Sequence, residues 1–171
     1  MTRASLVLAL AVVLSTSAQA HLMVAQKGTL NLVDNGAFMV LSVPVSAFDG
    51  VDDDSDGKLS VEEFTHHKQE ILDEVKRKVI LRDDDDAQTL EGIMLTPVVP
   101  DHSPDGVADQ LVIMGRFHTD PLSEKLSLQV ELYGEINREQ SLEVTATRPA
   151  LKQQRVLVLT HTKPVATVFP Q

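Results

Sequence analysis

No cysteine occurs anywhere in these 171 residues, so no disulfide can staple the fold and no thiol can act as nucleophile or metal ligand. Positive charge is scarce: 15 lysines and arginines stand against 25 acids, a formal net charge of −10. An imbalance of that sign argues against nucleic acid or an anionic membrane surface as partner. Past the first twenty residues no apolar run is long enough for a transmembrane helix, so no membrane insertion is expected of the processed chain. Catalytic signatures are missing as well. There is no nucleophile elbow, no His-Glu-x-x-His and no phosphate-cradling glycine loop, and an enzyme is not expected.

The N-terminus has the pattern of a secretory signal peptide over residues 1–20. Arg3 supplies the positive start, Leu6 to Leu14 the short apolar stretch, and Ala18-Gln19-Ala20 the small-residue cleavage site. The expected mature chain begins at His21, spans 21–171 and is exported to the periplasm or secreted. Its 151 residues suffice for one domain with a real core, and losing Arg3 moves its formal charge to −11.

What is present is concentrated at residues 52–63, Asp-Asp-Asp-Ser-Asp-Gly-Lys-Leu-Ser-Val-Glu-Glu. Asp52, Asp54 and Asp56 place short carboxylates at positions 1, 3 and 5. Gly57 permits a sharp turn at position 6, and Lys58 offers a backbone carbonyl at position 7. Ser60 supplies a hydroxyl or bridging water at position 9, and Glu63 a two-oxygen carboxylate at position 12. These are hard oxygen donors at the spacing of an EF-hand calcium loop, so a calcium ion is the expected partner and cofactor. Leu59 is the expected apolar anchor, packed by Phe48, Val51 and Phe64.

Around the loop, Leu22 to Val33 and Ala37 to Val45 read as a hairpin about Asp34-Asn35-Gly36. Pro44 and Gly50 leave room for at most about one helical turn before the loop. Behind it, apolar residues from Phe64 through Ile71, Leu72, Val75, Val79 and Ile80 predict a helix from Val61 to about Leu81. Ser60 and Glu63 form a capping box at its start, and Lys76, Arg77 and Lys78 suit its C-terminal dipole. His66 and His67 are expected to face solvent. From Thr89 onward the period changes to two. Segments 89–99, 110–118, 125–133, 141–148, 153–161 and 165–169 read as strands. The expected class is α+β, mostly β: an antiparallel β-sandwich-like domain of about eight strands, with one long helix following a single calcium loop.

Weaker features compete with bland readings. Asp101 to Asp109 resembles half of a second calcium loop, but Val112 stands at the twelfth position, and an ordinary Asp-Gly turn accounts for it better. Asp83 to Asp86 reads as a solvated acidic loop. His21 at a processed N-terminus, joined by His102, His118 or His161, would suit copper, the rival expectation of a transition-metal carrier.

Beyond the loop itself, the N-terminal layout resembles the exported soluble portion of HupE/UreJ-type membrane proteins. The likeness lies in a leader ending before a histidine, a hairpin over 22–45, and Phe48-Asp49-Gly50-Val51 running into the loop and a helix. It implies a single hand fed by a strand. It does not extend to metal transport, for which this sequence offers no membrane helices. An exported binding or accessory module with an unidentified protein partner is the resulting expectation.

Overall fold

The computed structural model describes residues 25–84, 86–100, 103 and 106–170. The leader, His21 and most of the 101–105 segment therefore lie outside the described residues.

The chain opens with β1 (Lys27–Val33) and β2 (Gly36–Pro44), paired antiparallel with Val33 opposite Gly36. The predicted hairpin is there, but its two loop residues are Asp34 and Asn35, with Asp34 at φ +52°. Gly36 is already in the ladder. A Cβ there would stand 2.6 Å from the Phe117 carbonyl oxygen, so glycine is needed for close strand approach. After Pro44 a single 3-10 turn, Val45–Ala47, leads toward the 52–63 loop. The strand-fed entrance expected from Pro44 and Gly50 is what forms.

Helix α1 (Val61–Lys78) follows, then β3 (Val79–Asp83) without a break, β4 (Asp86–Thr89) and β5 (Glu91–Val98). Here the structure corrects the sequence. Val79 and Ile80 fit the helical period but belong to a strand. Val79 pairs with Val130, Leu81 with both Gln88 and Leu128, and the Lys78 carbonyl accepts from the Glu131 N–H at 2.9 Å. Sheet pairing claims the β-branched residues that helical periodicity would have kept.

The remaining strands are β6 (Gln110–His118), β7 (Leu126–Val130), β8 (Ser141–Arg148), β9 (Gln153–Thr160) and β10 (Val165–Thr167). They form a six-stranded sheet, β5-β6-β2-β1-β8-β9, and a four-stranded one, β10-β7-β3-β4. Among the described residues every ladder between strands is antiparallel except β1–β8, which is parallel and joins Gly28 to Val144 and Leu30 to Ala146. Alternation places Leu30, Leu41, Ile113, Val144 and Leu159 of the larger sheet in one core with Leu81, Leu128 and Val130 of the smaller. The described residues are thus mostly β, in two sheets with one α-helix.

Asp83 and Asp86 pair at the end of the β3–β4 hairpin. Asp83 is not merely solvated: it accepts hydrogen bonds from Thr119 Oγ1 at 3.2 Å and Ser123 Oγ at 2.5 Å. Arg148, 2% exposed, lies over the Phe169 ring with its Cζ 4.6 Å from the ring centroid and donates to the Ser123 carbonyl at 2.5 Å. Among the described residues no helix is long and apolar enough to cross a membrane.

Candidate metal centre

The loop is held from three sides. Phe48, Val51 and Leu59 are buried in the core and Phe64 packs on it, the apolar collar expected from the sequence. Inside the loop the carboxylates order the backbone. Asp52 Oδ2 accepts from the Gly57 N–H at 2.7 Å, Asp52 Oδ1 and Asp54 Oδ1 from the Asp56 N–H at 3.2 Å each, and Asp56 Oδ1 from the Lys58 N–H at 2.8 Å. Ser55 at φ +61° and Gly57 at φ +78° supply the left-handed turns that wrap the chain round its own acids.

Glu63 closes the ring. Its Oε2 accepts from the Ser60 N–H and its Oε1 from the Asp53 N–H, both at 2.8 Å, while Ser60 Oγ accepts from the Glu63 N–H at 3.2 Å. The capping box is therefore complete, and the Glu63 carboxylate also reaches across to the second residue of the loop, Asp53.

Asp52, Asp54 and Glu63 bring carboxylate oxygens within 4.8 Å of one another. Asp56, Lys58 and Ser60 line the same turn but are not in that triad. The Asp56 and Ser60 side chains are engaged with loop backbone, and Lys58 would contribute only its carbonyl. The triad shows the electrostatics of gathered anions. For Asp54 the hydrogen bond from the Asp56 N–H favours the ionised form, but desolvation and repulsion from Asp56 and Glu63 outweigh it, and the carboxyl sits above its usual range. Glu63 is held below its usual range, first by the Ser60 N–H and hydroxyl, against a desolvation cost. A set of oxygen donors that repel one another, each already oriented by backbone N–H groups, fits a hard divalent cation. An open cleft of about 310 Å³, lined by Ser46, Phe48, Asp49, Asp52 and Glu135 among others, gives access to the loop.

His67 is the residue that sequence reasoning misplaced. It is 8% exposed, not solvated, with Nε2 3.0 Å from Asp53 Oδ1 and Nδ1 2.7 Å from Glu70 Oε2. Glu70 first and Asp53 second raise its pKa above the ordinary 6.5. The buried stripe of α1 runs Glu63, His67, Ile71, Val75, one residue every four. It is apolar where it meets the sandwich and polar where it meets the loop. That spacing was the available signal, but a histidine does not count in a search for apolar periodicity.

The other histidines are scattered. His118 lies exposed at the end of β6, with Nε2 3.1 Å from Glu91 Oε2, and His161 packs edge-on to Tyr133 with ring centroids 6.1 Å apart. His21 and His102 lie outside the described residues. No protein-family model matches the chain, and no curated protein matches it in sequence.

Proposed function

We propose that this protein is an exported calcium-binding module. Its single EF-hand-type loop, Asp52 to Glu63, acts as a clamp between the β-sandwich and α1. The observation that carries this is the convergence of Asp52, Asp54 and Glu63 oxygens within 4.8 Å on a loop whose backbone is already turned around them. Asp56, the Lys58 carbonyl and Ser60 complete the ligand set, which suits a large cation that takes six to eight oxygens. Calcium here is structural. The ion would link the helix N-terminus to the loop, and the loop is anchored in the core through Leu59. The address, periplasmic or secreted, follows from the leader. The biological role is that of a binding or accessory protein with a protein partner.

The test is calorimetric titration of the 21–171 chain with calcium and, separately, with copper(II). The account expects one calcium per chain, with a Kd on the order of 10⁻⁴ to 10⁻³ M as in other extracellular hands. Tight copper binding that vanishes when one residue is added ahead of His21, with no calcium heat, would instead establish the transition-metal carrier.

A further inference from the structure

The segment 106–109 supplies no metal ligand, yet it grips the loop at its centre. Leu59 and Ala108 form an isolated antiparallel bridge: the Leu59 N–H donates to the Ala108 carbonyl at 2.8 Å, and the Ala108 N–H to the Leu59 carbonyl at 2.9 Å. Both residues are 1% exposed.

The two bonds fix two peptide planes, and in a trans peptide the N–H and C=O point in opposite directions. The plane between Lys58 and Leu59 has its N–H on Ala108, so its carbonyl, the Lys58 oxygen, is turned away from Ala108. The plane between Leu59 and Ser60 has its carbonyl on Ala108, so its N–H is turned the other way, where it meets Glu63 Oε2 at 2.8 Å. One residue therefore aims two donors of the centre.

Ala108 is itself held by the sheet. The neighbouring Asp109 carbonyl accepts from the Val45 N–H at 3.0 Å, and Gln110 opens the β6–β2 ladder opposite Pro44. On the other side Ser103 Oγ lies 3.2 Å from both the N–H and the carbonyl oxygen of Val107.

Resting on the calcium reading of the loop, we propose that Ala108 is a positioning residue for that centre, acting through its backbone, and that it couples ion occupancy to the start of β6. Calcium bound between the Lys58 carbonyl and Glu63 strengthens the orientation that the bridge already imposes, so each should stabilise the other.

The test compares wild type, Ala108→Pro and Ala108→Ser in the full processed chain. Proline removes the N–H that holds the Leu59 carbonyl; serine perturbs the same buried position but keeps both backbone groups. Calcium calorimetry should show affinity about tenfold weaker for Ala108→Pro and unchanged for Ala108→Ser. Terbium luminescence lifetimes in light and heavy water should show about one more bound water in the proline variant, where the Ser60 N–H no longer holds Glu63 in its two-oxygen pose. Equal affinity and hydration in wild type and Ala108→Pro, or equal weakening in both variants, would overturn the proposal. Should Ala108→Pro not fold, hydrogen exchange on wild type decides. Calcium must slow the Leu59, Ser60 and Ala108 amides together, and slowing at Ser60 without Ala108 overturns the coupling. Absence of calcium heat and terbium emission in wild type would sink the loop reading itself, and this inference with it.

Discussion

At the scale of single residues, Glu63 and Ser60 share the capping box but do different work, and two substitutions separate them. Glutamine at position 63 can still accept from the Ser60 N–H, so the helix keeps its cap while the centre loses a charged, two-oxygen ligand. Glu63→Gln should abolish the calcium-dependent rise in melting temperature and lower the calcium-free melting temperature only slightly. Ser60→Ala removes the side-chain acceptor at the N-cap and should cost about 1 kcal/mol in urea denaturation without calcium. His67 adds a pH dependence. Its folded pKa is raised by Glu70 and Asp53, so its contribution is complete below the unfolded value and fades as pH rises through the folded one. The stability difference between wild type and His67→Gln, measured by urea denaturation, should therefore be largest near about pH 6 and shrink toward about pH 9. A difference that grows with pH would contradict this assignment. The proposed ligand set could be read from the sequence because each member stands at a fixed offset from Asp52. His67 was not, because its role comes from Asp53, fourteen positions away along the chain and brought close only by the turn of the loop into α1.

Among the elements, the entrance to the loop and its capped exit were readable from Pro44, Gly50, Ser60 and Glu63, since each acts on the backbone within a few residues. The end of α1 was not. Val79 and Ile80 extend the helical period of Ile71, Leu72 and Val75, and what makes them a strand is Val130 and Thr89, which no local window contains. The parallel β1–β8 pair was hidden for the same reason, with Leu30 meeting Ala146 across most of the chain. The Asp34-Asn35-Gly36 signal was right about the hairpin and off by one residue in its turn, because Gly36 is needed in the ladder. Gly36→Ala should accordingly destabilise by about 1–3 kcal/mol through the clash with the Phe117 carbonyl, read as a lower urea midpoint with an unchanged slope. Leu59→Ala should cost about 2–5 kcal/mol, since its side chain is 1% exposed and anchors the loop in the core.

For the molecule as a whole, the sandwich encloses one apolar core without any disulfide, and the loop that interrupts it gathers acids that repel one another. An ion bound only by the folded chain converts that repulsion into attraction and stabilises the fold by mass action. With the Kd between about 10⁻⁴ and 10⁻³ M expected of the proposed site, about 10 mM calcium should contribute roughly 1.4–2.7 kcal/mol. In a chain of this size that corresponds to a melting temperature higher by about 3–10 °C. The most direct check of the clamp is the thermal melt of the processed chain in chelator and in about 10 mM calcium, alongside Glu63→Gln. The account predicts a rise of several degrees in wild type and none in the variant. Identical melting temperatures for wild type with and without calcium would contradict it.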